Sequence, residues 1–399
     1  MAKDAALSLY LHVPFCSLKC SYCDFNSFAK LDDLVPDFVD ALCTELALWA
    51  PIVRGRPIET VFLGGGTPSL LPLPHIERII ATLRDNYALA DGAEVTLEAN
   101  PGTADRQYFA GILAAGVNRL SLGFQSLHDD ELAALDRIHN AAEAVQCYRW
   151  ARDAGFRRIN VDLIYGLPGQ PMASWQETLE RAIDLAPDHV SAYALTVEDG
   201  TKLAYDVEHG TVPAPDGDLQ AEMYEWAGGC LSEAGYQQYE ISNWSLPGEE
   251  CRHNLVYWRN GEWLALGPGA HSHWGAHRFA DVYSPRQYVR LVAAAAEEPP
   301  SAKSSPAAVL AAMRQVTFVD PQPAALQMAD TAILALRLNA GLDLAAFERR
   351  FGRRFEDVYA GPLAETLEMG LLERDNGRLR LTDRGRYLAN EVFVRLLPD

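Results

Sequence analysis

The chain has 399 residues, a formal net charge of −20 and 49% apolar residues, enough to build two or three domains around a large core. The acidity disfavours long-range attraction to nucleic acid or to an anionic membrane surface. Seven cysteines in that length are too sparse for a disulfide framework.

Leu7–Val13 is an apolar run that reads as the first strand. It runs into Pro14 and Cys16, is too short to cross a bilayer, and lacks the basic flank and cleavage site of a leader. A cytoplasmic location, where thiols stay reduced, is therefore expected. Cys16, Cys20 and Cys23 follow at C-x₃-C-x₂-C spacing. Zinc, a redox pair and chance all fit three close cysteines. Zinc would want a further Cys or His pair, and Cys43, Cys147, Cys230 and Cys251 are scattered singly. An iron–sulfur cube takes one ligand per iron, so three thiolates leave one iron open to a small molecule.

Next, 34–49 reads as a helix and Glu59–Leu63 as a strand ending in Gly64-Gly65-Gly66. Pro74 fits the first turn of the following helix. Strands are expected at 94–98, 117–122, 158–164 and 189–195, and helices at 104–115, 141–154 and 174–186. Six strand-then-helix units predict a partial parallel (β/α)6 barrel. Glu98, Gln125 and Asp162 fall at strand ends or in a buried strand, on the face where such barrels carry their sites. Asp162 needs a partner if buried, and Arg137 is a candidate.

Beyond residue 200 the pattern changes. A helix is expected over 218–234 and one strand over 236–244. Residues 264–277, rich in Gly and His, read as loop with short strands, and 293–306 as a linker. Asn376-Gly377 between apolar-alternating arms predicts a hairpin, and helices followed by a hairpin suggest a winged-helix-like α+β domain. Residues 341–399 carry 10 Lys/Arg and 11 Asp/Glu, so this piece is no basic DNA reader. The expected division is 1–240 for the barrel, 241–300 for its extension and 301–399 for the C-terminal domain.

Taken in order, the Tyr10–Cys16 run, the three-cysteine loop, Gly64–Ser69, Glu98–Pro101, Gly123–Ser126 and Asp162–Pro168 resemble the radical S-adenosylmethionine superfamily, in its coproporphyrinogen III oxidase-like branch. The resemblance implies that Cys16, Cys20 and Cys23 hold a [4Fe–4S] cluster whose open iron binds S-adenosylmethionine. It also implies that Tyr10, Gly65, Gly66, Thr67, Glu98, Gln125, Arg137 and Asp162 line the rest of that ligand's site, with Tyr22 beside the adenine. One electron from the cluster would then cleave the sulfonium.

Asp24-Phe25-Asn26-Ser27 stands where the oxidase has Gly-Cys, and few residues precede Cys16. With Cys251–Trp258, which contains HNxxYW, these features resemble the HemW-type heme chaperones. That likeness implies heme as cargo, an acceptor hemoprotein as partner, transient contact with membrane-bound acceptors, and a monomer or dimer. His253 and Tyr257 are the candidate heme contacts, with Cys251, His271, His273 and His277 nearby. The alternatives are oxidative decarboxylation of coproporphyrinogen III and a radical methyltransferase.

Overall fold

The computed structural model describes residues 6–398; the outermost residues of the expected first and last domains lie outside it. The central element is one sheet. Its strands are β1 (Leu7–Val13), β2 (Pro57–Gly65), β3 (Ala88–Ala99), β4 (Arg119–Gln125), β5 (Arg158–Tyr165) and β6 (His189–Ala194), continued by β7 (Gln237–Gln238), β8 (Asn243–Ser245), β9 (Trp263–Leu266), β10 (His271–Trp274), β11 (His277–Asp281) and β12 (Val316–Pro321). The order across the sheet is β12-β11-β10-β9-β1-β2-β3-β4-β5-β6-β8-β7. Strands β1 to β6 run parallel, with a helix between each successive pair, which is the partial barrel the sequence predicts.

Local chemistry fixes the helix ends. Ala141–Ala154 starts at a capping box of Asn140 and Glu143 and stops at Gly155, whose φ of 108° suits only glycine well. The core is continuous from the inner strands to the outer helices, with Trp49, Phe109 and Trp175 fully buried. Each such side chain contributes about 1.5–3 kcal/mol of burial.

Two sequence expectations need correction, and a third is extended. The single strand over 236–244 is two short strands, β7 and β8, paired as a hairpin. The short strands expected within 264–277 are present, and one of them, β9, pairs parallel with β1 and makes a seventh parallel strand. The linker at 293–306 is helix in its first part: Pro285–Glu297 continues through the alanines, burying Tyr288, Val292 and Ala295 at helical spacing.

At the C-terminal end, the helix Ala324–Leu336, the strand Leu342–Asp343, the helices Leu344–Phe351 and Ala360–Glu368, and the hairpin Leu372–Asp375/Arg378–Leu381 form a winged-helix-like unit with its own core. Asn376 (φ 48°) and Gly377 (φ 78°) both take the left-handed backbone that a two-residue hairpin turn requires. Among the described residues, no helix is long and apolar enough to cross a membrane.

Candidate functional site

The loop after β1 is stitched to the glycine turn after β2 through the backbone. Gly66 N–H donates to the Val13 carbonyl at 2.8 Å and Thr67 N–H to the Phe15 carbonyl at 2.8 Å. This close approach excludes side chains. A Cβ at Gly66 would lie 2.6 Å from the Phe15 oxygen, and one at Gly65 (φ 114°) 2.6 Å from the His12 ring. The turn therefore fixes the cluster loop against the sheet's C-terminal rim.

Cys16, Cys20 and Cys23 are half-buried and line one cavity of about 350 Å³, whereas Cys43, Cys147 and Cys251 are buried elsewhere. Among the described residues, no three His, Cys, Asp or Glu side chains converge closely enough to hold a single metal ion. Cys16 Sγ lies 3.6 Å from Thr67 Oγ1. Arg137 donates to Cys20 Sγ at 3.5 Å, to Asn100 Oδ1 at 2.6 Å and to the Gly123 carbonyl at 2.9 Å. Asn100 in turn donates to Thr67 Oγ1 at 2.9 Å. One chain of hydrogen bonds thus joins the loops after β1, β2, β3 and β4.

The same cavity is walled by Tyr22, Gly65, Gly66, Glu98, Gln125 and Asp162. Gln125 takes a left-handed φ of 69° at a register shift in β4, a backbone cost that re-aims its side chain at a functional rim. Glu98 Oε2 accepts from Gly65 N–H at 3.0 Å. Burial, with Asp162 nearby, pushes the Glu98 carboxyl up to about 8. Asp162 is held by Ser121 Oγ at 2.7 Å and Asn160 Nδ2 at 2.8 Å, and burial raises its pKa as well. Two acidic groups in one cavity make a receptor for a cationic ligand group, and the sulfonium and ammonium of S-adenosylmethionine fit that demand. The expected Arg137–Asp162 pairing is not formed: Arg137 is spent on the cluster loop, and the cation facing Asp162 is the buried Arg119.

Tyr10 lies one layer deeper, its ring 6.1 Å from Phe62 and 6.4 Å from His253. It lines a second cavity of about 230 Å³ that shares Glu98 and Asp162 with the first. The floor of this chamber is the helix Arg252–Trp258, which carries HNxxYW. His253 is buried, with Nδ1 2.7 Å from Thr60 Oγ1 and Nε2 2.8 Å from Tyr257 OH. Burial pushes His253 down to about 3. The helix starts on Glu94, whose carboxylate accepts from the backbone N–H of Arg252 at 3.2 Å and of His253 at 3.0 Å. The motif is therefore a plug at the lower end of the barrel, and neither ring nitrogen of His253 is presented to an iron. Trp258, at its outer end, lies under the Arg337 guanidinium at 5.6 Å and joins the C-terminal unit.

Sequence reasoning missed Glu94, Arg119 and Asn160, single polar residues inside strands with no local signal. Asn100 sits in the Glu98–Pro101 motif and was within reach.

Comparison with known proteins agrees with this geometry. Residues 10–182 match the radical SAM superfamily and residues 324–388 the HemN C-terminal domain. The chain is 42% identical to the heme chaperone HemW of Mycobacterium tuberculosis (strain ATCC 25618 / H37Rv), over 98% of this chain and 94% of the relative. It is 32% identical to the heme chaperone HemW of Bacillus subtilis (strain 168), over 98% and 99%. The coproporphyrinogen III oxidase HemN of Escherichia coli superposes with a TM-score of 0.83 at 24% identity, covering 99% of this chain and 90% of that one, and shares the fold.

Proposed function

The chain belongs to the HemW family of heme chaperones, and from that premise we propose that it binds heme and hands it to an acceptor hemoprotein while keeping a radical S-adenosylmethionine site. The observation that carries this reading is the division of the barrel interior. A cavity of about 350 Å³ stands at the cluster loop. Behind it lies only a polar chamber of about 230 Å³, floored by the helix Arg252–Trp258. Small-ligand sites run from about 300 to 1,000 Å³. The first cavity suits S-adenosylmethionine, and the plug helix closes the second from behind, so heme is placed outside the barrel, as cargo.

Cys16, Cys20 and Cys23 would hold the cluster, which when bound supplies one electron to the sulfonium. Glu98 and Asp162 receive the ligand's positive groups. Arg137 fixes the Cys20 side of the loop, and the glycine turn holds the ligand against backbone. Delivery takes place between soluble or membrane-bound acceptors and a monomer or dimer of this chain in the cytoplasm.

The test is anaerobic reconstitution of the cluster, a heme titration followed at the Soret band, and transfer to an apo-hemoprotein. Stoichiometric binding and transfer are expected, with no conversion of coproporphyrinogen III. Absence of both binding and transfer refutes the reading; protoporphyrinogen formation moves the chain to the oxidase activity.

A further inference from the structure

Strands β9 to β12 extend the sheet beyond β1 as an antiparallel meander. Alternate side chains of a strand share a face, so His271 and His273 point the same way. The His273 ring meets Trp263 at 5.3 Å, and Trp263 meets Tyr257 at 4.7 Å. Tyr257 lines the inner chamber, so this face continues the concave interior of the barrel. Its lower part is closed: His273 is buried with Nδ1 2.8 Å from the Gly261 carbonyl.

Its upper part is open. His271, Ala280 and Phe318 stand in register across β10, β11 and β12. His271 is exposed, its ring 6.4 Å from Tyr283 and 6.4 Å from Phe318. Its Nε2 has one long contact, 3.4 Å to Tyr283 OH, and Nδ1 makes no hydrogen bond among the described residues. Tyr283 and Phe318 are 60% and 51% exposed, an unusual outlay of aromatic surface. Ala280 between them is buried, so the open surface here is carried by His271, Tyr283 and Phe318. This shelf adjoins the cluster loop: Asn26, three residues after Cys23, donates from Nδ2 to the carbonyls of Pro268 (2.8 Å) and Tyr283 (2.9 Å).

We propose that this shelf is the heme site, with His271 as axial ligand and Tyr283 and Phe318 lying against the porphyrin. The inference rests on the heme-carrying reading above and places the cargo on the rim that carries the cluster. An exposed imidazole with an uncommitted nitrogen is a ready iron ligand, and flat aromatic walls match a macrocycle. His253 would have to break the Thr60 and Tyr257 hydrogen bonds to do the same.

The experiment titrates heme into cluster-loaded wild type, His271→Ala, Phe318→Ser and His253→Ala. Iron content and circular dichroism of each variant check the fold. His271→Ala is expected to keep the cluster, shift the Soret band and weaken heme binding at least about 10- to 100-fold, the loss that follows even when a partner of a metal ligand is removed. Added imidazole restores the wild-type spectrum. An unchanged spectrum and affinity in His271→Ala overturn the site, and loss of heme in a folded His253→Ala alone transfers it to the plug. Failure of the wild type to bind heme sinks the functional reading and this site with it.

Discussion

Glu98 offers the sharpest quantitative test of the cofactor cavity. Its carboxyl is pushed from 4.5 up to about 8 by burial and by Asp162. At about 1.4 kcal/mol per unit, ionising it without a ligand beside it costs on the order of 5 kcal/mol more than in water. About nine in ten copies therefore carry a proton at pH 7. A ligand ammonium about 4 Å away returns roughly 4 kcal/mol at an effective dielectric constant near 20, enough to bring the group down by about three units. Binding S-adenosylmethionine at pH 7 should thus expel close to one proton. Calorimetry in buffers of different ionisation enthalpy reads that number as a slope. Near pH 9 the slope should vanish, because Glu98 is already ionised. Glu98→Gln should abolish the slope and weaken binding by about 10- to 100-fold, the worth of a hydrogen bond to a charged group. The sign for the ligand-free protein follows. The folded pKa is raised, so the group's contribution is full below about 4.5 and is lost as pH rises to about 8. A slope of zero at pH 7, or an equal slope in Glu98→Gln, would refute the assignment of Glu98 as the cation receptor.

Alanine at Cys16, Cys20 or Cys23 should each abolish iron loading, whereas Cys43→Ala and Cys147→Ala, on helices remote from the cavity, should retain it; iron content and visible absorption near 400 nm decide. Gly65→Ala forces a Cβ to 2.6 Å from the His12 ring at a left-handed φ, so it should lose about 1–3 kcal/mol of stability and most S-adenosylmethionine binding, read by thermal melts and calorimetry. His253 and His139 are held down to about 3 and about 4 by burial, so the stability they give is full above about 6.5 and drains away as pH falls towards those values. Chemical denaturation at pH 7 and pH 4.5 should show that loss, and His253→Ala should flatten it.

The parallel barrel was legible because its signals are local. Each inner strand is an apolar run, and capping residues punctuate the helices, as Asn140, Glu143 and Gly155 do for Ala141–Ala154. The three-cysteine loop was legible for the same reason, with Cys16, Cys20 and Cys23 inside eight residues. What failed to read was set by distant partners. β9 is four residues long and becomes a barrel strand only because β1 has a free edge for it. The alanines at 293–296 are strong helix formers, but the Pro- and Ser-rich stretch behind them masked where the helix stops. Arg137 and Asp162 were both placed at the cavity, yet their pairing was wrong, since Arg119, with no motif around it, faces Asp162 from the start of β4.

The HNxxYW stretch shows how a motif and its role can come apart. Its His, Tyr and Trp suggest a metal and a flat ligand, and its chemistry is spent inside the protein. Ser8, Thr60, His253 and Tyr257 form one hydrogen-bonded ladder across β1, β2 and the plug helix. Removing His253 takes the ring partner from the Tyr257 hydroxyl, at about 1–3 kcal/mol, while Thr60 keeps its bond to Ser8. Loss of heme in such a variant therefore locates a ligand only where iron content and circular dichroism show the fold intact, because the chamber floor would otherwise loosen first. The plug also meets the C-terminal unit through Trp258 and Arg337 and through the Asn260–Thr331 hydrogen bond of 3.0 Å. One helix thus seals the inner chamber from below and seats the winged-helix-like unit. The rim that holds the cluster loop and the His271 shelf stays open to a partner.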